Sequence, residues 1–181
     1  MAVKEQGTDR QDQRWLVSPR TLIFLTHAEE ILLIKRGADR RILPAKYNGL
    51  GGHLERDEDP LSGALRELEE EAGIRPQQLA LKAIYHIDPG TELGVIVFIF
   101  LGQVQHREWR RKQSPEGKLC WLPIARLSEC DLVADLPILL ERILPEDSPS
   151  VAPQFTHLSY DASGRLGMGF FGEEKVWLDV P

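Results

Sequence analysis

Gly52 to Ile74 reads GHLERDEDPLSGALRELEEEAGI, and this stretch decides the fold. Asp59-Pro60 is a helix opening, a capping side-chain oxygen followed by proline in the first turn. Gly73 is a stop, because glycine adopts the left-handed backbone that ends many helices. The spacing predicts a helix over Pro60–Ala72. Leu61, Ala64, Leu65, Leu68 and Ala72 recur at three- and four-residue intervals as one apolar stripe. Glu67, Glu70 and Glu71 share another face, where like charges repel by about 0.2–0.5 kcal/mol per exposed helical pair. Partial burial raises that cost unless a cation sits among them. Hard carboxylate oxygens select Mg²⁺ or Mn²⁺ over zinc. A solvated acidic face is the plain alternative.

Working outward, the acid proves local. Between Gly51 and Ile74, eight acids (Glu55, Asp57, Glu58, Asp59, Glu67, Glu69, Glu70, Glu71) face Arg56 and Arg66, an imbalance equal to the whole chain's formal net charge of −6. The remainder is balanced, which argues against a general nucleic-acid binder with a basic surface. The basic run His106–Lys112 therefore reads as a solvated loop. Only Cys120 and Cys130 occur, far from a Cys-x-x-Cys pattern, so a zinc cage or disulfide framework is not expected and the reducing cytoplasm is. No apolar run is long enough to span a membrane, and the polar opening MAVKEQGTDRQDQR lacks the apolar core of a secretory signal.

Before the helix, Arg20–Thr26 and Ile31–Lys35 read as a hairpin of buried strands, followed by an irregular stretch rich in glycine. After it, Leu79–Ile87 and Leu93–Leu101 flank the turn Asp88-Pro89-Gly90, and Leu119–Pro123 makes one more short strand. Asp135 is placed to cap a second helix running to Leu144, and Gln154–Phe171 suggests a terminal hairpin around Asp161–Gly164. Strands mixed with two helices predict an α+β sandwich. The organisation read from this is a tail over residues 1–15, a main domain over 16–145 and an extension over 146–181 carrying the hairpin.

Gly52, Glu58, Arg66, Glu67, Leu68, Glu70, Glu71, Gly73 and Ile74 match the signature G-x5-E-x7-R-E-U-x-E-E-x-G-U, with U bulky and aliphatic. Chance agreement is on the order of one in 10⁸ per starting position. The chain is thereby similar to the Nudix hydrolases, MutT-type, and looser similarity runs from about Thr21 to Leu144. The resemblance implies an α/β/α sandwich with a mixed sheet, and hydrolysis of a diphosphate linkage in a nucleotide. It implies that Glu67, Glu70 and Glu71, with the carbonyl of Gly51, hold Mg²⁺ or Mn²⁺. It gives Arg66, Glu58, Gly52, Gly63 and Gly73 structural parts, with Arg66 and Glu58 bracing the loop against the helix. Glu67 is the first choice for the base that activates water, and Glu116 matches a loop glutamate of MutT-type enzymes.

Arg36, with Lys35 as runner-up, matches a position that contacts substrate phosphates in MutT-type relatives. Tyr47-Asn48-Gly49-Leu50-Gly51-Gly52 resembles the W-N-G-F-G-G segment of oxidised-purine nucleoside triphosphatases, implying base contact by Asn48 with Tyr47 beside it and Asp135 completing the pocket. Tyr47 departs from the family tryptophan, and only one late aspartate is present. The substrate expected is a nucleoside triphosphate, an oxidised purine such as 8-oxo-dGTP being favoured. ADP-ribose or another nucleoside diphosphate derivative is the alternative, and a non-catalytic nucleotide sensor the third. Neither stable nucleic-acid binding nor membrane association is expected, and the oligomeric state, a homodimer included, stays open.

Overall fold

A computed structural model describes residues 15–40, 43–107, 113–114, 116–145 and 152–180. The polar tail through residue 14, residues 108–112 of the basic run and residues 146–151 of the linker lie outside them. Ten strands form a single mixed sheet: β1 Leu16–His27, β2 Glu30–Arg36, β3 Tyr47–Asn48, β4 Leu79–Asp88, β5 Leu93–Gln103, β6 Gln113–Ser114, β7 Gly117–Pro123, β8 Gln154–Tyr160, β9 Leu166–Phe170 and β10 Val176–Leu178. Their order is β10-β9-β8-β4-β5-β1-β2-β7-β6, with β3 pairing β2. β1 runs parallel to β5 and β8 parallel to β4, while the other pairings are antiparallel. Helix α1 spans Pro60–Glu71, a 3-10 segment Ile124–Glu129, and α2 Leu136–Ile143.

Alternation along β1 shows how the layers form. Ile23, Phe24 and Leu25 are all fully buried, as in a central strand covered on both faces. Ile23 and Leu25 pack with Ala64 and Leu68 of α1 and with Ala72 just past its end, whereas Phe24 packs with Leu136, Leu139, Leu140 and Ile143 of α2. Side chains one residue apart point to opposite faces, so α1 and α2 lie on opposite sides of the sheet. The result is the α+β sandwich predicted from the pattern. Leu158, Leu166, Met168 and Phe170 of β8 and β9 belong to the α2-side core, so the C-terminal hairpin is built into the sheet.

The ends of α1 follow its sequence. Asp59 accepts from the amides of Leu61 (2.8 Å) and Ser62 (3.1 Å). Gly73, at φ 66°, terminates it. Two expectations need correcting. Leu61 does not join the apolar stripe but is 42% exposed; the buried face of α1 also holds Gly63 and Glu71 and so is turned toward the loop before the helix. Asp135 precedes α2 but takes helical dihedrals (φ −83°, ψ −18°) and makes no capping bond with its side chain. A turn already closes there, from the amide of Leu136 to the carbonyl of Val133, which removes the extended backbone that a capping side chain needs.

Candidate active site

The loop before α1 is fastened to β1. Leu50 and Ile23 exchange amide bonds of 2.7 and 3.0 Å, the amide of Thr21 donates to Gly52 (2.9 Å), and that of Leu54 to Pro19 (3.1 Å). Gly51 holds φ at 130°, a region that favours glycine. A Cβ on Gly52 would run into the Glu67 carboxylate, and one on Gly63 into Leu54 and Glu58. The backbone thus passes against the helix with no room for a side chain.

Arg66 organises the acids. Its guanidinium grips Glu58 through two bonds, Nε to Oε2 at 3.0 Å and Nη2 to Oε1 at 2.8 Å. It also donates to the carbonyl of His53 (3.0 Å), to Glu67 (3.0 Å) and to Glu70 (3.2 Å). Glu58 accepts from the amide of Glu55 as well (2.8 Å), which ties loop to helix. Arg66 first and this amide second hold the Glu58 carboxyl below its ordinary range. The guanidinium is held still more firmly in its charged form, Glu58 being the main cause.

Glu71 is only 6% exposed. Burial pushes its carboxyl up to about 7, although the Gly51 amide donates to Oε2 at 2.9 Å. The nearby charges of Glu67 and Glu116 add to the rise, and the Ser114 hydroxyl, 3.5 Å from Oε1, opposes it. Glu67 is also raised by burial, against the pull of Arg66. Glu70 projects outward, its side chain 59% exposed. The three glutamates share one side of the helix but are not gathered into a metal cage among the described residues. Arg66 draws Glu67 and Glu70, while the Gly51 amide draws Glu71. The donor set suits a hard divalent ion nonetheless: all ligand atoms are oxygens, and two of the acids are withdrawn from water at an energetic cost that a cation would relieve.

Glu116 reaches this cluster from the turn between β6 and β7, and Arg36 Nη1 donates to its Oε2 at 2.7 Å. The two predicted contacts, one for phosphate and one for water activation, are therefore paired with each other. Lys35 instead lies over the Tyr47 ring, 5.2 Å from its centroid. Tyr47 packs on the α2-side core, its backbone bonded to Asp131 and Val133. Asn48 pairs with Ile34 on β2, and its side-chain oxygen accepts from the amide of Gly49 (2.9 Å). Asp135 keeps some exposure as a residue, but burial of its carboxyl pushes it up to about 6. It lies on the α2 side, apart from the glutamates.

Ser114, and Thr21, whose hydroxyl accepts from the amide of Gly52 (3.4 Å), were not singled out from the sequence. Hydroxyl residues in strands carry no periodic signal: the pairing of β1 with the loop reveals Thr21, and the β6–β7 hairpin brings Ser114 to Glu71. A concavity of about 730 Å³, lined by Thr26, His27, Lys82 and Ile143 among others, opens at the far end of β1 and shares no residue with the glutamate cluster. Among the described residues no helix is long and apolar enough to cross a membrane.

Comparison with known proteins places these features in a wider set. The NUDIX domain family model matches residues 17–144. The MutT protein of Bacillus halodurans has a similar fold, with a TM-score of 0.71 and 23% identity over 87% of this chain and 99% of that one. The NUDIX domain of Shewanella oneidensis NrtR, solved with ADP ribose, is similar at TM-score 0.60 and 16% identity, over 78% of this chain and 96% of that one. A nucleoside triphosphate pyrophosphatase/Nudix hydrolase fusion protein of Bifidobacterium longum is 34% identical over 74 residues. That match takes in 41% of this chain and only 15% of the relative.

Proposed function

Because the chain belongs to the Nudix family, we propose that it is a Mg²⁺-dependent hydrolase that cuts the diphosphate linkage of a nucleoside triphosphate into monophosphate and pyrophosphate. The observation that carries this reading is the buried Glu71, its carboxyl pushed up to about 7 beside half-buried Glu67. Acids kept from water at such cost are explained by a cation that joins them when substrate binds. Glu67, Glu70 and Glu71, with the carbonyl of Gly51, would hold Mg²⁺, and Mn²⁺ suits the same oxygens. The ion supplies neutralisation of diphosphate charge and acidification of a bound water.

The chain's own groups supply the rest. Arg66 holds Glu67 and Glu70 in place through its anchor on Glu58. Glu67 takes the proton from the attacking water, burial having raised its affinity for a proton. Glu116 is the second choice for that task. Arg36 binds substrate phosphate and on doing so exchanges its partner Glu116 for a phosphoryl oxygen. Tyr47, Asn48 and Asp135 contact the base, which favours an oxidised purine such as 8-oxo-dGTP. A second reading, an ADP-ribose or related pyrophosphatase, draws on the likeness in fold to the ADP-ribose-bound NrtR domain. The intact carboxylates speak against a sensor that binds without cutting. A cytoplasmic site of action accords with the scarcity of cysteine.

The test is product release from triphosphates, oxidised triphosphates and nucleoside diphosphate sugars with purified protein and Mg²⁺. Turnover of a triphosphate is the expected result, and turnover confined to ADP-ribose would move the assignment to the second reading. Glu70→Gln should lower kcat by more than about a hundredfold, beyond the 10–100-fold typical of groups that only support metal ligands. A variant at the wild-type rate would remove the metal role from Glu70.

A further inference from the structure

The two helices do not cover the sheet equally. The α2-side core takes in side chains of β4, β8 and β9, and on that face Tyr85, Thr156 beside it and Leu158 are buried. The α1-side core draws on β1, β2, β5 and β7, and from β4 takes only Leu79 and Leu81 at its start. Past that limit, the α1-side face of β4, β8, β9 and β10 carries no layer among the described residues. Phe155 there is 62% exposed, and His86 and His157 are exposed, although their neighbours one residue along each strand are buried.

Register lays this bare face out in rows. One runs Pro19, Ile96, His86, His157 and Gly169, and the next Thr21, Phe98, Ile84 and Phe155. Trp15 lies over Gly94 and Trp177 over Gly167, each ring filling the space a Cβ would need. These indoles stay 40% and 42% exposed. The His86 ring stands 5.0 Å from that of Trp15 and 5.6 Å from that of His157. A sheet face left to water reads as polar, whereas this one is mainly aromatic and aliphatic. A contiguous apolar patch marks an interaction surface, and tryptophan is enriched among the residues that dominate binding.

The ends of the patch differ in charge. Beyond Pro19, whose carbonyl accepts from the Leu54 amide, Glu55 and Asp57 are exposed and in no ion pair among the described residues, with Arg56 between them. At the other end Lys175 and Arg165 lie over the Trp177 ring, 4.8 and 5.4 Å from its centroid. Arg165 is paired with Asp161, while Lys175 donates only to the Ser159 hydroxyl (2.6 Å). A two-fold axis along the strands lays each end of such a patch on the opposite end of its copy, so acid meets base on both sides at once. The five strand spacings from β1 to β10 span about 24 Å, a breadth on the order of that needed for an interface of about 800 Å² per partner. The residues ahead of Trp15 offer only Met1, Ala2 and Val3 as apolar cover.

We propose that two copies of the chain meet face to face here, about a two-fold axis near His86 and His157, with Phe155 and Trp177 buried between them. Lys175 of each copy then faces Glu55 and Asp57 of the other. The pairing is independent of which nucleotide the protein cleaves.

Sedimentation velocity across a range of protein concentrations tests it. Wild type should be a dimer, and Phe155→Glu should raise the dimer dissociation constant by more than about thirtyfold, as loss of a dominant interface residue does. Because that ring is largely exposed, the monomer should keep the far-UV circular dichroism of wild type. Lys175→Glu should weaken association about tenfold at low salt, and adding Glu55→Lys with Asp57→Lys should restore it. A wild type that stays monomeric at every concentration would overturn the proposal and leave the face to a different protein or to the residues ahead of Trp15. A dimer that neither single variant weakens would overturn it too, since the copies would then meet elsewhere. Should Phe155→Glu lose its fold, the charge reversal decides alone: weakening without restoration overturns the pairing of ends.

Discussion

Glu71→Gln should stabilise the metal-free protein while abolishing its response to magnesium. An ordinary glutamate titrates near 4.5, whereas Glu71 is pushed up to about 7, chiefly by burial. Between those values the folded chain holds a proton that the unfolded chain has released, so stability is greatest at low pH and falls as pH rises through this window. At 1.36 kcal/mol per pH unit separating the two values, keeping Glu71 in the fold costs about 3 kcal/mol at pH 8. Glutamine carries no charge and keeps an oxygen for the Gly51 amide, so the variant recovers most of that cost. For a chain of this size, Tm should rise by about 5–10 °C in EDTA at pH 8. The gap should close near pH 5. Thermal melts of both proteins at the two pH values, in EDTA and in MgCl₂, make the comparison. Wild type alone should gain from Mg²⁺. A variant that melts at or below wild type at pH 8 in EDTA would refute the claim that Glu71 is held in the fold at a cost.

Arg66→Ala frees Glu58, Glu67 and Glu70 from their shared partner while leaving every carboxylate in place. Apparent Mg²⁺ affinity, followed as the metal dependence of turnover, should fall by about 10–100-fold with a melting cooperativity like that of wild type; unchanged affinity would argue that Arg66 does not position the acids. Met168→Ala, at a fully buried position in β9, should cost about 2–5 kcal/mol by urea denaturation. A loss under about 0.5 kcal/mol would mean that the hairpin does not share the core of the sandwich.

The parts of the molecule legible from sequence are those whose causes are local. Asp59-Pro60 and Gly73 bound α1 because caps act within one turn, and the helix runs Pro60–Glu71. The β1–β2 hairpin was readable from two apolar runs with a short gap. The start of β1 was not: it lies at Leu16 because residues 16–26 find their partners on β5, a non-local pairing that no window reveals. β3 and β10, two and three residues long, fall below any periodic signal. Asp135 misled because Asp-Leu-Pro has the composition of a cap, while the turn ahead of it had already set its backbone. In the candidate site, the opposite charges of Glu58 and Arg66 suggested a contact that the guanidinium makes at 2.8 and 3.0 Å. What composition could not convey is that Arg36 and Glu116 hold each other, or that Thr156 comes to lie beside Tyr85.

The parallel docking of β8 beside β4 bears on how the chain is made. Until residues 154–160 have left the ribosome, β4 presents a free strand edge carrying buried-type residues such as Ala83 and Tyr85. β5 covers the other edge of β4, but this edge waits for β8, which is synthesised only after the second helix. Such long-range closure slows folding and leaves a sticky intermediate exposed during translation. A codon change or pause ahead of Gln154 would therefore act on yield and aggregation in the cell while leaving the properties of the folded protein untouched.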